Sequence, residues 1–455
     1  MDFENSADES KALFHLAFAE KEVSKIPGID EWTPVIDVRN AAVVGIGNMG
    51  SGIAISYVNS GIPVWVKDAN REKLEKGFSR IRSYYEGSIA RGRLTRERAD
   101  QCLQLLKPAM SYQDFSGVDL VLEAVDENIT MKKQLFTELS EACKSDTILA
   151  SNTSALSIDD IASAAINPSR VVGHHFFAPA HIMQLVEIVR GQHTSAVVIA
   201  SSLALTTKLK KIGVVVGNCP GFAGNRMYYQ YQREAQFLVE EGAQVQEVDA
   251  VLRDFGMAMG PFATRDLSGL DVVWHIQKEY QKSLPPTLRK PLAMERLYEL
   301  GRFGQKTNAG WYRYESGSRT PLPDPGVQKI IEDCAGRAGI VRRRISREEI
   351  IERTIYSLIN EGAKILHEGI APRAGDLDII FVKGYGFPAR RGGPMWFADT
   401  IGLKAICERV CSLNRDHGAY WAPAPLLRQL AEEGKSFADF DRRVGAHQDR
   451  EIRRS

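Results

Sequence analysis

The sequence predicts an α/β fold in which a doubly wound, mostly parallel sheet domain is followed by two related all-α domains. Three observations indicate this. Strand-like runs alternate with helix-compatible segments up to about residue 218, long helical patterns dominate afterwards, and the helical half contains an internal repeat. The 455 residues allow about three domains. With 44% hydrophobic and 25% charged residues, the composition is typical of folded globular proteins.

An amphipathic helix precedes the first predicted strand. Apolar residues recur at helical spacing from Ser10 to Lys25, and the pattern stops at Pro27-Gly28. Seven strand-like runs follow, at residues 41–44, 63–67, 119–123, 147–150, 171–172, 185–189 and 212–216. Because helix-compatible segments follow most of them, we expect helices on both faces of one sheet.

The helical half repeats itself. Residues 225–242 resemble residues 352–369 at a constant offset of 127, and Phe255-Gly256 recurs loosely as Tyr385-Gly386. Chance similarity between two amphipathic helices is the alternative, but duplication explains the constant offset better. The predicted parts are an N-terminal linker helix (1–37), the sheet domain (38–218), a first helical domain (219–318), a linker (319–343) and a second helical domain (344–455).

Charge and cysteine usage argue against several classes of function. Lys and Arg number 58 against 57 Asp and Glu, so no global field would attract nucleic acid or an anionic membrane. No apolar run reaches the roughly 18 residues of a membrane helix. The six cysteines form no CxxC pair or Cys/His cluster, so we expect no metal.

The two ends of the chain predict a cytoplasmic location. The first residues are acidic, whereas a signal peptide begins with basic residues. The last residues, 451–455, lack the Ser-Lys-Leu signal that directs proteins to peroxisomes.

A glycine-rich turn follows the first strand and opens a helix that should run to about Ser60. We expect its first glycine to allow a tight turn, its second to let the backbone approach a pyrophosphate, and its third to allow close helix–strand packing. This pattern predicts a Rossmann-type dinucleotide site that includes Gly45, Gly47, Asn48, Met49 and Gly50.

An acidic residue at the end of the second strand strengthens this prediction. Asp68 lies 18 residues after Gly50, where its carboxylate can accept hydrogen bonds from the adenosine ribose. The same charge would repel the 2′-phosphate of NADP, whereas Arg71 nearby could attract it. We therefore predict NAD as the cofactor.

A His–carboxylate pair is the candidate catalytic element. His174 and His175 end one strand-like run, and Glu187 lies on the next. Side chains alternate along a strand, so only one of the two histidines can face the cofactor side. Alone, each residue is more often structural. Beside a nicotinamide site the pair favours catalysis, because oxidising an alcohol needs a base and a group that stabilises the resulting imidazolium.

Several motifs occur in one order along the first two predicted domains. They are ASNTSALS at 150–157, HHFFAP at 174–179, Glu187, NCPGFAGNR at 218–226, MGP at 259–261 and GQKTNAGWYRY at 304–314. Together they resemble the L-3-hydroxyacyl-CoA dehydrogenase family from about Asp37 to Tyr314. The N-terminal helix and the second helical copy resemble the dehydrogenase part of multifunctional β-oxidation enzymes, in which an enoyl-CoA hydratase domain precedes the dehydrogenase.

The resemblance implies a reaction and assigns its residues. The reaction is hydride transfer between NAD and C3 of an acyl-CoA thioester, (S)-3-hydroxyacyl-CoA or 3-oxoacyl-CoA, in fatty-acid β-oxidation. His175 would be the general base and Glu187 the carboxylate that orients it. Ser154 and Asn225 would hold the substrate.

The resemblance also implies further cofactor contacts. Glu127 and Lys132 match family positions beside the nicotinamide half, and Lys306 matches another contact. One departure concerns Ala178, which follows His-Phe-Phe where the family often has asparagine. A side-chain hydrogen bond to the cofactor is expected to be missing there.

Two other interpretations remain, and the repeat bears on one of them. A hydroxy-acid dehydrogenase of the L-gulonate type would share the histidine and glycine motifs but lacks the second helical copy. A catalytically silent scaffold would not be expected to keep Ser154, His175, Glu187 and Asn225.

Because the second copy has Glu352 in place of Asn225, we expect one active site per chain. We also expect a monomer whose second copy occupies the place of a partner subunit.

Overall fold

The structure is a computed structural model that describes residues 6–282 and 284–443. The chain divides into two compact units. The sheet unit is Ala19–Phe222, and the helical unit combines the described residues of Met1–Phe18 and Ala223–Ser455. Residues 451–455, which carried part of the prediction about location, lie outside the described ranges.

Eight strands form one sheet in the sheet unit. They are β1 (Ala41–Val44), β2 (Val64–Lys67), β3 (Leu106–Pro108), β4 (Leu120–Glu123), β5 (Ile148–Ser151), β6 (Val171–Phe176), β7 (Leu185–Arg190) and β8 (Ile212–Gly217). Their order is β3-β2-β1-β4-β5-β6-β7-β8. Neighbours are parallel except β6 and β7. β1, β4 and β5 are buried along their whole length, as expected for strands covered on both faces.

One strand escaped the sequence pattern. In β3 only Leu106 is buried, while Lys107 and Pro108 are exposed, so no apolar run marks the strand. Its position at the sheet edge explains the composition, because an edge strand tolerates proline and charged side chains.

Helices flank these strands as expected. They are α2 (Asn48–Asn59), α3 (Arg71–Ala90), α4 (Arg96–Gln104), α5 (Ile129–Ala142), α6 (Ile158–Ala162) and α7 (Ala196–Lys208). The helix α1 (Ser6–Glu22) precedes them, and its residues up to Phe18 belong to the helical unit. α2 ends one residue before Ser60, which confirms its predicted extent. The predicted doubly wound fold is therefore confirmed.

The helical unit contains the second half of the chain. Its further helices are α8 (Phe222–Glu241), α9 (Val245–Phe255), α10 (Pro261–Ser268), α11 (Leu270–Lys282), α12 (Ala293–Glu299), α13 (Pro325–Arg337), α14 (Arg347–His367), α15 (Ala374–Gly384), α16 (Pro394–Ile401), α17 (Leu403–His417) and α18 (Pro425–Glu432). Below, the first copy means residues 219–318 and the second copy means residues 344–455.

The two copies share a local device that supports their common origin. Asp249 accepts hydrogen bonds of 3.0 Å from two backbone N–H groups in the first turn of α10. Asp378 does the same for the first turn of α16. Because each carboxylate pairs N–H groups that lack partners inside their own helix, it fixes the start of that helix.

Two segments expected to be linkers contain packed helices. α13 lies within residues 319–343 and buries Val327, Ile331 and Cys334 at helical spacing. In α1, His15 Nε2 lies 2.8 Å from Asp378 Oδ2, and its ring stacks on Trp396 at 4.4 Å. The N-terminal helix therefore contacts the second copy as a structural element.

Candidate active site

The carboxyl ends of five parallel strands meet at one edge of the sheet. The glycine turn follows β1 and Asp68 follows β2, whereas Glu127 and Ser154 follow β4 and β5, and His175 lies near the end of β6. The order of strands reverses between β1 and β4. Doubly wound sheets bind their ligands at this kind of switch point, outside the carboxyl ends of the strands.

Each glycine of the turn has a distinct geometry. Gly45 has a φ of +89°, and a Cβ there would lie 2.6 Å from the Ala124 carbonyl oxygen. A Cβ on Gly50 would lie 1.9 Å from the Gly45 carbonyl oxygen. At Gly47 a Cβ would meet nothing within 4 Å, and this exposed residue is the N-cap of α2. Gly45 and Gly50 thus allow close packing, whereas Gly47 leaves open the approach to the N-terminus of α2. This arrangement fits the binding of a dinucleotide phosphate.

Asp68 also holds the turn, a role that the sequence did not reveal. Its Oδ2 accepts a hydrogen bond of 2.8 Å from the Ile46 N–H. Arg80 Nη1 donates to the Ile46 carbonyl oxygen at 2.9 Å and to Ser51 Oγ at 3.1 Å. The missing side chain of Gly77 allows this contact, because a Cβ there would lie 2.3 Å from the Ile46 side chain. The turn is therefore fixed from both β2 and α3.

His175 and Glu187 form a buried pair on neighbouring strands. They are direct partners in the antiparallel register of β6 and β7, and His175 Nδ1 lies 2.7 Å from Glu187 Oε2. Glu187 is 0% exposed and His175 is 7% exposed. An ionised carboxylate can only accept, so Nδ1 donates and the lone pair of the neutral ring lies on Nε2. Such a pair can take up a proton and stabilise the resulting charge.

The neighbouring histidine faces the other side of the sheet. His174 Nε2 lies 2.8 Å from Ser202 Oγ on α7, and the residue is 1% exposed. Burial lowers the pKa of His174 to about 4, so its imidazole is neutral at neutral pH. The alternation expected for a strand is observed, and it leaves His175 facing Glu187.

Glu127 connects the ends of β4 and β5. Its Oε1 accepts hydrogen bonds from Thr153 Oγ1 at 2.7 Å, from Ser154 N–H at 2.8 Å and from Ser154 Oγ at 3.2 Å. Two predicted site residues, Glu127 and Ser154, are therefore in direct contact. Thr153 belongs to the same cluster and was missed, although it lies within the ASNTSALS motif.

Lys132 lies beneath this cluster. It is 1% exposed, and its Nζ is 2.5 Å from Glu123 Oε1 and 3.4 Å from Glu127 Oε2. Glu123 is fully buried and also accepts a hydrogen bond from Ser151 Oγ at 2.6 Å. Lys132 is therefore a member of a buried ion pair, from which it can orient Glu127. Nothing in the sequence pattern had singled out Glu123.

Two predicted site residues belong to the helical unit. Asn225 Oδ1 accepts a hydrogen bond of 2.9 Å from Tyr385 Oη. Lys306 forms an ion pair with Asp271, and its ammonium lies 5.8 Å from the centre of the Phe303 ring.

Within residues 6–282 and 284–443, no helix combines the length and apolar character needed to cross a membrane. In those same residues, no group of three or more His, Cys, Asp or Glu side chains is arranged to hold a metal ion.

Two family models match the chain. The model described as "3-hydroxyacyl-CoA dehydrogenase, NAD binding domain" matches residues 40–219. The model described as "3-hydroxyacyl-CoA dehydrogenase, C-terminal domain" matches twice, at residues 221–314 and 350–439. The sheet unit thus carries an NAD-binding domain, which confirms the predicted cofactor.

Individual proteins agree with these matches. The peroxisomal bifunctional enzyme of Danio rerio is 41% identical over 94% of this chain and 62% of its own length. The (S)-3-hydroxybutyryl-CoA dehydrogenase structure from Ralstonia eutropha is 32% identical, with a TM-score of 0.59 over 61% of this chain and 100% of its own. The dehydrogenase part of multifunctional enzyme 1 from C. elegans is 29% identical, with a TM-score of 0.66 over 91% and 96%.

The comparisons correct the predicted location. The chain spans about three fifths of the length of the curated relatives it matches, and those relatives include proteins named peroxisomal and glyoxysomal. The prediction of a cytoplasmic location is therefore wrong. It rested on short terminal segments, and the absence of one targeting signal there was too weak an argument.

Proposed function

This chain belongs to the 3-hydroxyacyl-CoA dehydrogenase family, and on that premise we propose that it transfers a hydride between NAD and C3 of (S)-3-hydroxyacyl-CoA in fatty-acid β-oxidation. The observation that carries the proposal is the buried His175–Glu187 pair, which lies in the same unit as the glycine turn. Bound NAD⁺ supplies the hydride acceptor.

His175 acts as the general base in this proposal. Its Nε2 takes the proton of the 3-hydroxyl group while the C3–H bond breaks and a carbonyl forms at C3. Glu187 favours the imidazolium through its negative charge, and its 2.7 Å hydrogen bond fixes the ring. In the reverse direction the imidazolium returns the proton to the carbonyl oxygen.

Ser154 and Asn225 hold the substrate, as the family resemblance implies. Ser154 is fixed by Glu127, which accepts hydrogen bonds from both its N–H and its hydroxyl group. Glu127 in turn is paired with Lys132. The contacts of Ser154 with Glu127, and of Glu127 with Lys132, therefore hold the Ser154 hydroxyl group in a fixed position near the carboxyl end of β5. Such fixed polar groups favour a preorganised site.

A cofactor-oxidation assay tests this function. Purified protein is mixed with NADH and either acetoacetyl-CoA or a longer 3-oxoacyl-CoA, and NADH consumption is followed spectroscopically. We expect turnover with at least one chain length. A catalytically silent scaffold would instead bind NADH, as tryptophan quenching would report, and turn over none of the thioesters.

We further propose that the two helical copies form an internal pseudo-dimer. Arg226 contacts Glu361 at 2.8 Å and Glu368 at 2.5 Å. At an offset of 127, Arg226 corresponds to Arg353, and Glu361 and Glu368 correspond to Glu234 and Glu241. These residues make the reciprocal contacts, because Arg353 pairs with Glu234 at 3.0 Å and also with Glu241.

Such reciprocity supports an approximate two-fold relationship. In an isologous interface, residue i of one partner contacts residue j of the other, and j contacts i. A fused second copy supplies the matching surface at high effective concentration. The interface that a second chain would use is then already occupied, and we expect the protein to be a monomer.

A further inference from the structure

A hydroxyl group of the second copy contacts a substrate-holding residue of the first. Tyr385 follows α15, and its Oη donates a hydrogen bond of 2.9 Å to Asn225 Oδ1 on α8. The two residues lie 160 positions apart in the sequence. The family resemblance assigns Asn225 to the substrate but gives no role to Tyr385.

The surroundings of Tyr385 fix where its hydroxyl group points. Its ring stacks on Phe381 at 4.9 Å and contacts Tyr228 at the same distance. Gly224 leaves the space for the ring, because a Cβ at this position would lie 2.7 Å from both Cε2 and Oη of Tyr385. A glycine therefore directly precedes Asn225 where the tyrosine approaches.

The repeat provides an internal comparison. Phe255 corresponds to Tyr385 in the other copy and lacks the hydroxyl group, while Glu352 corresponds to Asn225. Glu352 Oε2 pairs with Arg409 Nε at 2.7 Å instead. The contact between Asn225 of the first copy and Tyr385 of the second copy thus has no counterpart at the reciprocal positions, where Glu352 and Phe255 take the places of the asparagine and the tyrosine.

We propose that Tyr385 is a positioning residue that fixes the side-chain amide of Asn225 for substrate binding. With Oδ1 accepting from the tyrosine, Nδ2 is the side that donates, and its partner is a carbonyl oxygen of the 3-oxoacyl thioester. This inference rests on the proposed function and deepens it. The second copy then contributes to turnover as well as to stability.

Replacing the hydroxyl group tests the role. In Tyr385→Phe the ring packing is kept, and we expect kcat/KM for acetoacetyl-CoA to fall about three- to tenfold, the usual net effect of one hydrogen bond. KM for NADH and the melting temperature should stay unchanged. Gly224→Ala, which displaces the ring, should reproduce the kinetic defect. Tyr420→Phe is the matched control, because Tyr420 belongs to the same copy as Tyr385 and its Oη also donates to a residue of the first copy, the Arg289 carbonyl oxygen, at 3.0 Å.

A double-mutant cycle separates the possible outcomes. In an Asn225→Ala background, Tyr385→Phe should cause no further loss, because the tyrosine acts through the asparagine. An undiminished loss in that background, or wild-type kinetics for Tyr385→Phe alone, would overturn the positioning role. If the proposed function itself fails, the wild-type protein will not turn over 3-oxoacyl-CoA, or Asn225→Ala will leave kcat/KM unchanged.

Discussion

His175 and Glu187 face each other across the only antiparallel strand pair among the described residues of the sheet, with 2.7 Å between Nδ1 and Oε2. Strand register sets this distance, so the two side chains are held by the backbone hydrogen bonds of the strands as well as by their own contact. His174, one residue earlier, has the opposite orientation and contacts Ser202. The adjacent histidines therefore form a natural matched pair for mutagenesis.

We predict that His175→Gln keeps NADH binding and loses most turnover, since general base catalysis typically contributes about 10²–10⁴ in rate. Glu187→Gln should show a smaller defect of the same kind, because the imidazolium loses its counter-charge. His174→Gln is the control and should retain a kcat close to wild type in the folded fraction. Steady-state kinetics with a parallel NADH titration provide the measurement. Near-normal turnover by His175→Gln would assign the base elsewhere.

The buried His174 predicts a pH dependence of stability. Its pKa is about 4 in the folded protein against 6.5 for the ordinary side chain, so between these values only the unfolded chain binds the proton. The contribution of neutral His174 to the free energy of unfolding is fully present above pH 6.5. It is lost as the pH falls toward 4, by about 3 kcal/mol in total. Urea unfolding at several pH values gives the free energy of unfolding as a function of pH, and this dependence should be weaker for His174→Gln than for the wild-type protein. Parallel curves for the two proteins would rule out this origin.

Asp68 should have two separable effects: its charge should favour NAD over NADP, and its hydrogen bond with Ile46 should stabilise the glycine turn. Asp68→Ala removes the proposed ribose acceptor, the negative charge and the hydrogen bond from the Ile46 N–H, whereas Asp68→Asn keeps an oxygen for that hydrogen bond. Both variants should narrow the preference for NAD over NADP, by about tenfold or more, and only the alanine variant should lower the melting temperature. The ratio of kcat/KM values for the two cofactors is the readout. An unchanged ratio in Asp68→Asn would direct attention to Arg71.

The reciprocal arginines predict unequal losses of stability. Arg353 is 0% exposed, and its removal leaves Glu234 and Glu241 without their buried partner, so Arg353→Met should cost about 3–5 kcal/mol. The side chain of Arg226 is 15% exposed and Glu368 is 44% exposed, so Arg226→Met should cost less. Denaturant unfolding of both variants gives the comparison. Equal losses would mean that burial does not determine the cost.

The monomer proposal has its own measurement. Because each copy covers the other's interface, light scattering should report a single chain at micromolar concentration, and NADH titration should give one site per chain. A stable dimer, or two bound NADH molecules per chain, would contradict the internal pseudo-dimer.

Local motifs made several residues of the candidate site recognisable in the sequence. The glycine turn, Asp68 and the pair His175–Glu187 are defined by spacing along consecutive strands, and a doubly wound sheet brings such positions to one edge. The repeat was visible for the same reason, since duplication preserves a constant offset.

Other residues depend on contacts that spacing does not encode. Arg80 reaches the glycine turn because Gly77 lets α3 approach it. Glu123 is recognised as part of the candidate site only by its contact with the buried ammonium group of Lys132. Tyr385 is linked to Asn225 only through the packing of the two copies. β3 was missed because a three-residue edge strand with one buried side chain has no pattern.

Isotope transfer is the most direct test of the central claim. The protein is incubated with NAD⁺ and (S)-3-hydroxybutyryl-CoA that carries deuterium at C3, and the NADH formed is examined by mass spectrometry, with the (R) isomer as control. The account predicts deuterium in the NADH from the (S) isomer, none from the (R) isomer, and almost no product with His175→Gln. Absence of deuterium in the NADH, or equal reaction of the two isomers, would contradict it.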